Sequence, residues 1–112
     1  MVIRARDDRY FFRIIEEGEG KPPVALQPVD GTSQPQEPAF AFCSTADAKS
    51  KVVMAGAGKI WAATVEGGIS SAWAQVGEAT QPQFLHAFSP RGRTCWVEWF
   101  EKDIGLRRAP LP

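Results

Sequence analysis

The chain has 112 residues, 44% of them hydrophobic, with 13 basic and 13 acidic side chains. That length fits one domain with a core of its own, and a balanced charge gives no overall field to draw the molecule onto nucleic acid or an anionic membrane. No apolar run approaches a membrane span, and the start, charged from Arg4 onward, does not read as a secretory signal.

Val2 to Arg6 reads as a strand, Asp7-Asp8 as a turn, and Arg9 to Glu17 as a second strand with Tyr10, Phe12 and Ile14 on one face, so the pair predicts a hairpin. Gly18 to Pro23 breaks the chain, and Val24 to Leu26 suits a short strand. From Pro28 to Pro38 the composition is that of a flexible loop. Ala39 to Cys43 returns to strand. Ser44 to Asp47 has helix-capping residues, yet Val52-Val53 suits a strand, so 45–54 fits a turn or short helical turn followed by a strand through Met54. Gly56-Ala57-Gly58-Lys59 is a turn, and Ile60 to Glu66 is a strand with Trp61, Ala63 and Val65 on one side. Ile69, Ala72, Trp73 and Val76 fall at helical offsets, so over 69–77 a short helix competes with a strand. Gln81-Pro82-Gln83 reads as a loop.

Ala87 to Leu106 reads as strand, turn, strand, charged turn and short strand, and Arg107 to Pro112 as a tail. Its central run, Cys95 to Phe100, is dense in aromatic and β-branched residues between turn signals. Alternation sets Cys95, Val97 and Trp99 on one face and Trp96, Glu98 and Phe100 on the other. Such a strand is either covered on both sides or uses one face to bind.

Cys43 and Cys95 stand far apart within apolar segments, which suits buried reduced thiols in a cytoplasmic protein better than a disulfide, although a bridge is open if the two segments meet. His86 is the one histidine and has no ligand-spaced partner, so the sequence implies neither a metal nor another cofactor. Gly56-x-Gly58-Lys59 lacks the remaining residues of a phosphate loop and reads as a hairpin turn. The carboxylates Glu16, Glu17, Glu19, Glu101 and Asp103 fall at expected turns, where solvated charges are normal. Glu98 differs, since it lies mid-strand between aromatic plates. That setting suits a sugar or cation site, unless an arginine across the strand pairs with it. Four tryptophans, Trp61, Trp73, Trp96 and Trp99, exceed what such a core needs, so one or two are expected at an interface.

Arg9, Lys51 and Arg93 stand at equal steps of 42 residues, each ahead of a strand, a turn and a second strand. Phe88-Ser89-Pro90-Arg91-Gly92-Arg93 followed by an aromatic strand resembles the FSPDGR signature of TolB-like β-propeller repeats, with Arg91 in place of the usual aspartate. Gly58-Lys59-Ile60-Trp61 through Gly68 resembles the second hairpin of such a blade. That resemblance implies propeller-blade-like repeats, which a chain of this length would complete by oligomerisation.

Read from the residues, the chain is a mainly β, antiparallel single domain over 1–112, a small barrel or sandwich of about three hairpins with room for one short helix. The expected function is a non-catalytic protein-interaction module, either an assembly component or an inhibitor-type binder. Trp96, Glu98 and Phe100 are its binding residues, with Arg91 and Arg93 at the rim. The partner is another protein or a second copy, with nucleic acid and membrane disfavoured. One alternative is an oligomeric, propeller-like carbohydrate-binding protein using the same residues, and another is a small hydrolase-type enzyme using His86.

Overall fold

The computed structural model describes residues 2–6, 9–13, 15–16, 19–20, 24–26, 38–45, 49–80 and 82–112. Strands β1 (Val2–Arg6) and β2 (Arg9–Arg13) form the expected antiparallel hairpin, with Val2 opposite Arg13. The short strands β3 (Ile15–Glu16) and β4 (Glu19–Gly20) pair with each other, and β5 (Val24–Ala25) pairs with β2. The expected loop over 28–38 lies outside the described residues except for Pro38, as does most of the helical turn expected at 45–49.

The central sheet contains β6 (Ala39–Ser44), β7 (Ser50–Gly56), β8 (Lys59–Glu66), β9 (Ile69–Ser70) and β10 (Ala74–Glu78). Its order is β10-β8-β7-β6, with β9 also on β8. Gly56 pairs with Lys59, so the connection from β7 to β8 is the two-residue loop Ala57-Gly58, with both φ angles positive at 50° and 79°. A twisted hairpin requires that left-handed pair. The glycine turn expected at this point is therefore a hairpin turn.

A second sheet packs on the first. It contains β11 (Pro82–Phe88), β12 (Trp96–Glu101) and β13 (Gly105–Pro110), in that order and all antiparallel. A 3-10 turn at Pro90–Gly92 joins the first two strands. The main core lies between the sheets, where Ala41, Cys43, Val53, Ala55, Ile60 and Ala62 meet Cys95, Val97, Trp99 and Leu111. The expected barrel or sandwich is thus realised as a sandwich. The other face of the central sheet is buried as well. Met54 and Trp61 pack there with Phe40 and Trp73, and fully buried Leu26 packs against Val52 and Val65. Cover on both sides explains why β7 reads as a continuous apolar run.

Three sequence expectations change, and the open choice between helix and strand over 69–77 falls to strand, with β9 at Ile69–Ser70 and β10 beginning at Ala74. Both lie along β8, and the hydrogen bonds that β8 supplies outweigh a helical stripe too short to persist alone. Pro82 opens β11 where a loop was expected, at a strand's first residue, which needs no ladder donor. Arg107 to Pro110 belong to β13 instead of a tail, because β12 supplies their partners. Finally, Cys43 and Cys95 form a disulfide with Cα atoms 6.1 Å apart. Their segments share no ladder. They meet face to face across the core, a contact that sequence spacing does not reveal.

Candidate binding surface

Strand β12 separates its two faces as its alternation predicts. Cys95, Val97 and Trp99 are buried in the core, whereas Trp96 and Glu98 are half-buried and Phe100 is 42% exposed on the outer face. Register extends this outer face across three strands, because directly paired residues point to the same side. Trp96 lies between Phe88 and Pro110, Glu98 between His86 and Arg108, and Phe100 between Gln83 and Leu106. An aromatic row, a charged row and a second apolar row therefore lie in sequence down the sheet.

The charged row has fixed geometry. Arg108 donates from Nε at 3.1 Å and from its terminal nitrogen at 2.8 Å to Oε2 of Glu98. The same guanidinium lies 5.6 Å from the centre of the Phe88 ring, a cation–π distance, and His86 stacks on Phe88 at 5.4 Å with an interplanar angle of 11°. Glu98 thus has the cross-strand arginine that the sequence left open. The carboxylate opposite His86 in register is this same Glu98.

Between the lower row and the charged row, the pairing of β11 with β12 slips between Gln83 and His86. Phe84 sits in that irregularity with φ 54° and 83% of its surface in solvent. A bulky non-glycine residue in the left-handed region is strained, and such strain persists where something else requires the residue. Leu106 and Ile104 are also exposed, at 62% and 65%.

The structure brings Trp96, Glu98 and Phe100 together on one face. Arg91 and Arg93 do not join it. They are exposed on the turn beyond the Phe88–Trp96 row, bordering one end only. Arg91 adopts φ 61° there, the conformation that the aspartate of an FSPDGR turn tolerates more readily. The arginine on the face itself is Arg108, which sequence reasoning missed along with Leu106 and Phe84. Alternation through Gly105 to Pro110 would have placed Leu106, Arg108 and Pro110 with β12's outer face, had that segment been read as a strand. Glu101, expected among solvated turn charges, is buried, and its Oε1 accepts the Thr80 N–H at 2.9 Å. Of the tryptophans, Trp61 and Trp99 are core, while Trp73 and Trp96 are half-buried.

Among the described residues, no three His, Cys, Asp or Glu side chains converge as metal ligands, and no helix is long and apolar enough to cross a membrane. Compared with protein-family models, curated proteins and solved structures, the chain matches none.

Proposed function

We propose that this protein is a non-catalytic interaction module that binds a protein surface through the outer face of β11, β12 and β13. One observation carries the reading. Strands β7 and β12 are comparably rich in apolar side chains, yet β7 is covered on both faces and β12 on one. Of the exposed large apolar residues, Phe84, Phe100 and Leu106 lie on or beside its open side and Ile104 in the turn that follows it, whereas Ile69 lies on the central sheet. Contiguous exposed apolar surface of this kind marks an interaction site. Aromatic residues with an arginine among them match the composition of binding hot spots. Capture of partners by the immobilised protein tests the reading. Phe100→Ser with Leu106→Ser should melt as the wild type does yet lose capture, and Ile69→Ser, on the central sheet, should retain it. If the double variant unfolds, or captures as the wild type does, the face is not the binding surface.

The disulfide also supports a site of action. Bridges between buried cysteines persist in oxidising compartments and are rare in the cytoplasm. The Cys43–Cys95 bond therefore favours an extracytoplasmic setting over the cytoplasmic one that isolated cysteines suggest. Thiol titration of the denatured protein after expression in an oxidising host should find no free cysteine, and two free thiols would remove this argument for an extracytoplasmic setting.

A second reading, a propeller-like carbohydrate binder completed by several chains, has one observation in its favour. Strands β6, β7, β8 and β10 form a four-stranded antiparallel meander, the form of a propeller blade. It predicts a ring-sized oligomer that binds glycans, which solution mass and a glycan screen would reveal.

A further inference from the structure

We infer that the partner seated on this face is a second copy of the chain, related by a two-fold axis that runs along the strands between β12 and β13. The inference rests on the binding-face reading above. It adds the identity of the occupant.

The argument is charge self-complementarity. In a two-fold dimer the same patch meets itself, so every charge must find its opposite after rotation. The placement of the axis decides whether they do. An axis across the strands through the central row would set Glu98 on Glu98 and Arg108 on Arg108. An axis along the strands, midway between β12 and β13, exchanges the members of each cross-strand pair. Glu98 then faces Arg108 of the partner subunit, Trp96 faces the partner's Pro110, and Phe100 faces the partner's Leu106. Those are the three register pairs of this sheet, Trp96–Pro110, Glu98–Arg108 and Phe100–Leu106. Apolar rows thus meet apolar rows, and two ion pairs become a four-member network. Such a network offsets the desolvation that an isolated buried pair suffers.

Size sets the expected strength. The two strands that this axis overlays, about 4.8 Å apart and six residues long, span on the order of 200 Å² in projection. A stable interface takes about 800 Å² of accessible surface per partner. Association should therefore be concentration-dependent, with a dissociation constant of roughly micromolar to millimolar.

Sedimentation equilibrium on the full chain tests this, with Glu98→Arg and Arg108→Glu as reciprocal variants. The Glu98→Arg chain carries two cations beside the axis and the Arg108→Glu chain two carboxylates, so each should self-associate at least tenfold more weakly than wild type. An equimolar mixture of the two should form a heterodimer, because each cation then faces a carboxylate. Thermal melting establishes that both variants are folded, and the double variant Glu98→Arg with Arg108→Glu, which restores the pair within the chain, should dimerise as wild type does. A wild-type chain that stays monomeric to about 1 mM, association unchanged by either reversal, or a mixture no stronger than its components would each overturn the dimer. The interaction-module reading fails separately, when Phe100→Ser with Leu106→Ser leaves capture of other proteins intact.

Discussion

Phe84 is where the local backbone and the environment disagree most. Its left-handed φ of 54° costs a non-glycine residue about 1–2 kcal/mol, and its ring recovers little of that by burial, being 83% exposed. Glycine removes the clash but loses more conformational entropy on folding. The two effects nearly cancel, so Phe84→Gly should leave chemical-denaturation stability equal to wild type or higher by about 1 kcal/mol. If the aromatic ring is held out for a partner, the same variant should weaken binding. A loss of stability greater than 1 kcal/mol would instead make Phe84 a structural residue. Arg108 offers the complementary case. Its ion pair with Glu98 is 56% exposed on the arginine side, where solvent screens the charges. Arg108→Ala should therefore cost no more than about 1 kcal/mol in the denaturation midpoint.

Among the strands, contact across the sandwich governs what local sequence leaves open. Gly77 follows a register slip in β10, and a Cβ placed there would lie 3.1 Å from the Trp99 indole. Gly77→Ala should thus displace a buried tryptophan and destabilise by about 1–3 kcal/mol, seen as an earlier thermal transition with altered tryptophan fluorescence. The disulfide acts between sheets, closing a sequence separation of 52 residues. Chain-entropy reasoning places the loss for Cys43→Ala with Cys95→Ala at up to about 4 kcal/mol, and unchanged melting of that double variant would mean that the bridge does not form. The faces of β12 and the turn at Ala57-Gly58 were legible because alternation and turn chemistry are local. Helix versus strand at 69–77, the strand at Gly105 to Pro110 and the cysteine pairing were not, because each depends on a partner element elsewhere in the chain. The binding face was half legible for the same reason. Trp96, Glu98 and Phe100 follow from one strand's alternation, whereas Arg108 and Leu106 join them only through the register between β12 and β13.

At the scale of the whole molecule the two sheets are unequal, and that inequality concerns function. Among the described residues the second sheet packs on the first, whereas the central sheet also has cover on its far side, where Leu26 is fully buried against Val52 and Val65. If this cover is integral to the fold, Leu26→Ala removes buried apolar atoms from a site fixed by the central strands and should cost about 2–5 kcal/mol. Its effect should differ in kind from that of Phe100→Ser. Loss at Leu26 should loosen the cover and raise binding of an apolar dye, with Val52 and Val65 newly accessible beneath it. Loss at Phe100 should lower dye binding, since that ring already stands in solvent. Urea denaturation and dye fluorescence on the two variants measure both effects. If Leu26→Ala costs less than about 1 kcal/mol and leaves dye binding unchanged, the N-terminal segment is dispensable cover. Both faces of the sandwich would then be open to partners, and the choice of the β11–β13 face as the binding surface would lose its basis.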